Sequence, residues 1–157
     1  MRPRLLRKIA MRIRAATPED LPAVRELLST SGLPVDGVEE NLDDFIVAVE
    51  DRAISGVIGV ERYGPTALLR SAAVSTSSRG SGLGSRLVKA ILERAAAQGV
   101  KDVYLLTTTA SEYFPRFGFT EVERADAPVQ LRASREFQGA CPDTATLMKH
   151  TLSRAHR

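Results

Sequence analysis

The spacing of apolar residues in the first third of the chain predicts one strand followed by helices. Apolar and polar residues alternate over residues 11–15, as in a half-buried strand. The sequence Thr17-Pro18-Glu19-Asp20 then supplies an N-cap, a proline in the first turn and early acidic residues. Apolar residues three to four apart follow it and predict a helix to about Leu28, and the acidic stretch 39–44 predicts a second, short helix.

Three consecutive strands are predicted in the middle of the chain. Residues 45–49, 53–62 and 66–75 are rich in β-branched and small apolar side chains. The turn signals Asp51-Arg52 and Gly64-Pro65 separate them. Strands joined by such short turns pair with their neighbours in sequence, so we expect an antiparallel meander.

A polar, glycine-rich loop follows the third of these strands and leads into an amphipathic helix. Apolar residues recur at helical spacing from Leu83 to Ala95, and Gly99 stands where the residue after a helix C-terminus usually lies. Beyond this helix the pattern predicts a buried strand at 103–106 and a short helix that ends before Gly118. A strand at 119–122, a short helical stretch at 133–137 and a last strand at 145–151 follow.

Length and charge favour one domain with a short extension. A chain of 157 residues suits a single domain with its own core. The formal net charge is +3, but four of the 22 basic residues lie within residues 1–10, and the other 18 are balanced by 19 acidic ones. We therefore interpret 1–10 as a flexible basic extension and 11–157 as the domain. The near-neutral domain offers no basic stripe with interleaved aromatic residues, so we expect no nucleic-acid partner.

The scarcity of cysteine and histidine restricts the chemistry. Cys141 is the single cysteine, so no intrachain disulfide can form, which is typical of a reducing compartment, and we expect a cytoplasmic location. His150 and His156 are the two histidines, too few for a histidine-rich metal site, and we expect no metal. No apolar stretch is long enough to span a bilayer, so we expect no membrane partner.

The glycine-rich loop is the strongest candidate for ligand binding. It reads Arg79-Gly80-Ser81-Gly82-Leu83-Gly84; its glycines allow positive φ, and the following helix start adds partial positive charge. A nucleotide P-loop requires Gly-Lys-Ser/Thr, but Ser85 follows Gly84 directly. A dinucleotide loop requires G-x-G-x-x-G, which the glycine spacing matches only weakly. A third ligand is coenzyme A, held by an R-x-x-G-x-G loop, and the alternative without a ligand is a tight strand-to-helix turn.

The loop and its surroundings resemble the GNAT superfamily of acetyltransferases. The strand at 68–75, the motif Arg79-x-x-Gly82-x-Gly84 and the helix after it occur in the family's order, and 113–119 resembles the family's later Y-x-x-x-GF region. The resemblance covers about 11–151. It implies an α/β (α+β) GNAT fold, with a mixed, mostly antiparallel twisted sheet of about seven strands, a central splay and about four flanking helices.

A narrower group also resembles this chain. Its features are found in the N-acetyltransferases encoded with arsenic-resistance operons and in the short glutamate N-acetyltransferases. Here they read Gly59-x-Glu61-x-x-Gly64, Leu69-Arg70-Ser71, Leu105-Leu106-Thr107-Thr108-Thr109-Ala110, Arg124-x-x-x-Pro128 and Glu136-Phe137-x-x-x-Cys141-Pro142. Both subgroups are associated with glutamate-like amino acids or their analogues.

The resemblance implies a set of residues that bind acetyl-CoA as cosubstrate. The backbone of Ala73 and Val74 would pair with pantetheine, and a backbone amide near them would stabilise the oxyanion. The pyrophosphate would lie on the loop and the helix start. The implied cofactor set is completed by Arg79, Gly80, Ser81, Gly82, Leu83, Gly84, Ser85 and Phe114.

The catalytic residues are less well defined. Many family members carry a tyrosine four residues before the glycine of the GF pair, but Phe114 occupies that position, leaving Tyr113, Ser111 or a water as proton donor to the leaving thiolate. Glu61 is the candidate base. If Gly64-Pro65 is a two-residue turn, Glu61 faces Leu68 and lies diagonal to Arg70, so an ion pair between the two is the alternative.

Arg70 in an otherwise apolar strand suggests a carboxylate-bearing substrate. Ser71, Thr107 and Thr108 would add polar contacts. We therefore expect an N-acetyltransferase that moves the acetyl group from acetyl-CoA to a small amine, by direct attack in a ternary complex. The acceptor would be glutamate or an arsenical or phosphinic analogue. The alternatives are a protein or peptide acetyltransferase and a non-catalytic acyl-CoA-binding module. Family members are often dimers, so the resemblance is compatible with a homodimer, but the sequence does not give the oligomeric state.

Overall fold

One open sheet organises the fold in a computed structural model that describes residues 11–134 and 145–152. Within these residues the sheet has seven strands in the order β1-β2-β3-β4-β5-β7-β6. The strands are β1 (Met11–Ala15), β2 (Phe45–Glu50), β3 (Ala53–Tyr63), β4 (Thr66–Val74), β5 (Asp102–Thr107), β6 (Thr120–Glu121) and β7 (Thr146–Thr151).

Strand pairing is antiparallel everywhere except at the centre. The predicted meander is confirmed, because β2, β3 and β4 pair in sequence order with antiparallel registers. β4 and β5 are parallel and stay in register from Thr66 opposite Asp102 to Leu69 opposite Leu105. Beyond Leu69, β4 continues to Val74 without pairing with β5. This separation confirms the central splay that the resemblance implied.

A β-bulge redirects β4 at the start of the splay. Gly59 pairs with Arg70 and Val57 pairs with Ala73, so two residues of β4 face one residue of β3. Ser71, inside the bulge, has φ +63, a left-handed conformation that a residue with a side chain rarely adopts. The bulge therefore bends β4 where its last five residues leave β5.

The α-helices of the described residues number two and cover opposite faces of the sheet. Helix α1 (Leu21–Thr30) buries Val24 and Leu28. Helix α2 (Leu83–Ala97) buries five residues on its inner face, and Gly99 follows it with φ +90. None of the described helices is long and apolar enough to cross a membrane.

Within residues 11–134 and 145–152 the expectation of about four helices is wrong, because only two α-helices form there. The acidic stretch at 39–44 forms only a 3-10 turn, Leu42–Asp44, because β2 begins at Phe45 and leaves no length for further helical turns. The segment before Gly118 forms a second 3-10 turn, Phe114–Phe117, which ends at Gly118 with φ +98. The helical stretch predicted at 133–137 lies largely outside the described residues.

Both faces of the central strands are buried, which explains their nearly continuous apolar sequence. Along β2, Phe45 and Val47 pack against α1, whereas Ile46 and Ala48 belong to the core beneath α2. A third apolar cluster packs on β4, β5 and β7. The splay thus opens in the centre of a sheet that is otherwise packed on both sides.

Candidate active site

A cavity of about 320 Å³ occupies the gap between β4 and β5. Its walls come from the last residues of β4, from β5, from α2 and from the turn that carries Tyr113 and Phe114. Leu33 and Pro34, in the connection after α1, also line it. Among the residues predicted to act, the structure brings Arg70, Ser71, Ala73, Val74, Gly84, Thr107, Tyr113 and Phe114 together around this cavity.

The strand register turns the backbone of Val74 towards the gap. The Ser75 N–H donates to the Ser55 carbonyl at 2.8 Å, so Val74 and its partner Gly56 form a non-hydrogen-bonded pair. In such a pair the N–H and C=O groups point away from the partner strand. Val74 therefore presents a donor and an acceptor to the gap, whereas the register directs the backbone groups of Ala73 towards β3.

The glycine-rich loop forms an uncapped start to α2. Gly80 and Gly82 both have φ +83, so a residue with a side chain would be strained at either position. Gly82 is the N-cap, no side chain caps the helix, and its first turn has no acidic residue. The first amides of a helix have no intrahelical acceptor, so those from Leu83 onwards are available to an anion.

Hydrogen bonds hold this loop to the sheet. The Ser78 hydroxyl, which is buried, donates to Glu50 Oε1 at 2.9 Å, and the Ser81 hydroxyl donates to the Ser78 carbonyl at 2.5 Å. Arg79 is exposed and its Nε donates to the Val74 carbonyl at 3.2 Å. The Arg79 guanidinium therefore lies beside the mouth of the cavity.

The Tyr113 hydroxyl approaches the start of α2. An ideal Cβ placed on Gly84 would lie 3.3 Å from it, so the phenol tip lies against the first helical turn. Burial raises the pKa of Tyr113, although the Arg116 guanidinium, 4.6 Å above the ring, acts in the opposite direction. The phenol therefore stays protonated at neutral pH and can donate a proton. Phe114 is buried and contacts Tyr113 edge to face, with the ring centroids 5.3 Å apart.

Arg70 and Glu61 form a buried ion pair at the other end of the cavity. Glu61 is opposite Leu68, as the hairpin register predicted. Arg70 Nη1 lies 2.6 Å from Glu61 Oε2, and the two side chains are 0% and 3% exposed. The other oxygen of Glu61 accepts a hydrogen bond from the Tyr63 hydroxyl at 2.5 Å. Arg70 lines the cavity but Glu61 does not, and its assignment as the base stays a prediction.

The remaining candidates lie at the cavity rim or outside it. Thr107 lines the cavity, and its hydroxyl accepts the Ala110 N–H at 2.9 Å, which caps the end of β5. Thr108 and Ser111 are exposed and do not line the cavity. The described residues contain no group of histidine, cysteine, aspartate or glutamate side chains arranged to hold a metal ion.

Two neighbours of Arg70 were not predicted from the sequence. Tyr63 lies two residues after Glu61, and because side chains alternate along a strand, the same-face spacing could have identified it. Pro34 reaches Arg70 through its backbone carbonyl from a loop without periodicity, so no sequence signal marked it.

Comparison with known sequences identifies the family. Residues 41–121 match the acetyltransferase (GNAT) domain. The chain belongs to the GNAT family. It is 29% identical over 143 residues to the amino-acid acetyltransferase of Aeromonas salmonicida, covering 85% of this chain and 32% of that protein. The GNAT chain thus spans about a third of the length of such relatives. The amino-acid acetyltransferase of Mycobacterium tuberculosis is 29% identical over 133 residues, covering 78% of this chain and 74% of that protein.

Solved structures share the fold. N-acetylglutamate synthase from Neisseria gonorrhoeae, complexed with coenzyme A and N-acetyl-glutamate, superposes with a TM-score of 0.79 at 21% identity. The match covers 94% of this chain and 36% of that one. A Mycobacterium tuberculosis protein in complex with CoA gives a TM-score of 0.77 at 22% identity, covering 90% of this chain and 99% of that one.

Proposed function

We propose that this chain is an acetyl-CoA-dependent N-acetyltransferase that acts on a small amine carrying a carboxylate, with glutamate as the first candidate acceptor. The observation that carries the proposal is the gap between β4 and β5, which opens onto the uncapped start of α2. Relatives named amino-acid acetyltransferases support an amino-acid acceptor. An arsenical or phosphinic analogue of glutamate presents the same amine and a similar anionic group, and is proposed as a second acceptor.

The residues of the gap fit the cosubstrate. The free amides at the start of α2, with Gly80 and Gly82 giving the loop its shape, would bind the pyrophosphate. The Val74 backbone would pair with an amide of the pantetheine arm, and Leu87 and Leu105 provide an apolar wall. The cosubstrate supplies an activated acetyl group. The chain's own part is to orient that group and to aim a backbone amide of bulged β4 at the carbonyl oxygen.

Tyr113 is the proposed proton donor to the leaving thiolate. It lines the cavity, its hydroxyl lies against the first turn of α2, and its raised pKa keeps the proton on at neutral pH. Tyr113→Phe removes that proton and keeps the ring contacts. We expect kcat to fall about a hundredfold while acetyl-CoA affinity is retained, as measured by steady-state kinetics and calorimetry. Near-normal turnover would transfer the role to Ser111 or to a water.

Arg70, Ser71 and Thr107 are proposed to surround the acceptor, whereas Thr108 is exposed outside the cavity and has no part in this proposal. Ser71 and Thr107 line the cavity, and Arg70 lies in its wall beside Pro34 with its side chain enclosed, 0% exposed. A contact between this guanidinium and the acceptor carboxylate would require the cavity wall to rearrange when the acceptor binds. The proposal is a small-molecule site, because a cavity of about 320 Å³ is of the size that takes a small ligand.

One assay tests the proposal. CoA release from acetyl-CoA is measured with glutamate, with its phosphinic and arsenical analogues, with polyamines and with peptides, and the acetylated product is identified by mass spectrometry. We expect turnover with glutamate or its analogues. Turnover with peptides alone would refute the small-molecule proposal. Binding of acetyl-CoA without turnover on any amine would instead establish a non-catalytic acyl-CoA-binding module.

A further inference from the structure

The Arg70 guanidinium is fully enclosed and contacts three acceptors from different parts of the chain. Its Nε donates to the Ser71 hydroxyl at 2.9 Å and its Nη1 donates to Glu61 Oε2 at 2.6 Å. Its Nη2 donates to the Pro34 carbonyl at 3.3 Å. One side chain thus connects strand β3, the bulge of β4 and the loop after α1.

Glu61 is placed to hold this guanidinium and not to reach the cavity. Both carboxylate oxygens already accept hydrogen bonds, from Arg70 and from Tyr63, and Glu61 does not line the cavity. Burial, followed by the hydrogen bond to Glu61, raises the pKa of Tyr63 to about 12, so the phenol remains a donor. A general base needs a lone pair within reach of the acceptor amine. Glu61 is enclosed, with a side chain 3% exposed, and is absent from the cavity wall, so its carboxylate lacks that reach here.

The groups that Arg70 holds are themselves parts of the cavity wall. Ser71 carries the strained φ of +63, and Ser71 and Pro34 both line the cavity. The loop packs tightly on the guanidinium, because an ideal Cβ on Gly37 would lie 2.9 Å from Arg70 Nη1. A shift of Arg70 would therefore displace both the bulge and the loop.

We propose that Glu61 is a positioning residue: with Tyr63 it fixes Arg70 in the orientation that braces the Ser71 bulge and the Pro34 loop, and so sets the geometry of the acceptor end of the cavity. The inference rests on the proposed function, since that function makes this end the acceptor site. A buried cation that loses its anion reorients or recruits water, because an uncompensated buried charge is costly. Loss of Glu61 therefore acts on the acceptor through Arg70.

The test compares Glu61→Ala with Glu61→Gln. Alanine removes the partner of Arg70, whereas glutamine keeps an oxygen acceptor but cannot serve as a base. We expect Glu61→Ala to raise KM for glutamate about tenfold or more, with KM for acetyl-CoA changed less than about twofold. We expect Glu61→Gln to keep kcat within about threefold of wild type and to keep the acidic limb of the pH–rate profile.

Hydrogen exchange supplies a readout that needs no substrate. In Glu61→Ala, backbone amides of residues 33–38 and 70–73 should exchange faster than in wild type, while those of α2 do not change. Arg62→Gln is the matched control, because it removes another ion pair from β3, with Asp44 at 3.1 Å, without touching the cavity. It should leave both KM values and the exchange of 33–38 unchanged.

Two results would overturn the positioning role. The first is a loss of about a hundredfold in kcat, together with the acidic limb, in Glu61→Gln, which would make Glu61 the base. The second is unchanged glutamate KM and unchanged exchange in Glu61→Ala. If Glu61→Ala does not fold, Tyr63→Phe replaces it, because it removes only one hydrogen bond to Glu61. Tyr63→Phe must then raise the glutamate KM and speed the exchange of the same amides, and a variant that changes neither refutes the proposal. A wild-type protein inactive on glutamate would refute the proposed function, while the exchange experiment would still decide the role of Glu61.

Discussion

Replacing Gly84 by alanine should separate folding stability from cofactor binding. Gly84 lies in the first turn of α2 and lines the cavity. Its φ is not positive, so alanine can adopt the same backbone conformation. The added methyl would lie 3.3 Å from the Tyr113 hydroxyl and 3.8 Å from Val74 Cγ2. It would therefore stand between the two walls of the proposed cofactor site.

The two effects have opposite signs. Alanine favours a helix over glycine by up to about 1 kcal/mol, and we expect about 0.5 kcal/mol in this first turn, after the Tyr113 ring has moved by a few tenths of an ångström. For a chain of this size that corresponds to a rise in Tm of about 1–2 °C. The same methyl occupies space that the cosubstrate needs, so we expect CoA to bind about tenfold more weakly or worse.

Thermal unfolding and calorimetric titration with CoA measure the two effects on one sample. Gly99→Ala is the control at the opposite end of the same helix, where φ is +90 and nothing lies within 4 Å of an added Cβ. Alanine there should cost about 1 kcal/mol of stability through backbone strain alone and leave CoA affinity unchanged. Wild-type affinity for CoA in Gly84→Ala would refute the placement of the cofactor between Val74, Gly84 and Tyr113.

Two further predictions concern the scaffold. An added Cβ at Gly59 would lie 2.4 Å from ring atoms of Phe45, which is fully buried. Gly59→Ala should therefore lower the free energy of unfolding by about 2 kcal/mol, as measured by urea denaturation. The Arg14 guanidinium lowers the pKa of Asp20 from 3.8 to about 2. Ionised Asp20 therefore contributes about 2 kcal/mol to the free energy of unfolding above pH 4, and this contribution is lost as the pH falls towards 2. The difference in stability between the wild type and Asp20→Asn should shrink over the same pH interval.

The elements predicted correctly are those whose local pattern and burial agree. β2, β3 and β4 carry apolar residues on both faces because α1 and α2 cover both faces, and the sequence shows this directly. The register that places Glu61 opposite Leu68 was predictable because a two-residue turn leaves one pairing for the hairpin. The loop glycines likewise indicated positive φ, found at Gly80 and Gly82.

The features that escaped prediction depend on contacts distant in sequence. The bulge at Ser71 is a mismatch between two strands, and serine carries no local signal for a φ of +63. Pro34 meets Arg70 across 36 residues, through a backbone atom that every residue type possesses. The short helices were overpredicted because an acidic stretch and an aromatic turn resemble helical sequence, whereas the chain forms only 3-10 turns of three and four residues there.

Tyr113 lies one residue before the position at which many family members carry a tyrosine, yet its side chain still lines the cavity. On a helix, Tyr113 and Phe114 would point about 100° apart, so the phenol was not expected to replace the family's tyrosine directly. Here Tyr113 precedes a 3-10 turn, and both side chains line the cavity. Phe114 is buried as part of the wall, while the Tyr113 hydroxyl reaches the start of α2. Phe114 stands at the family's tyrosine position, but the cavity still contains a phenol. The neighbouring residue, Tyr113, supplies it and directs it at the helix start.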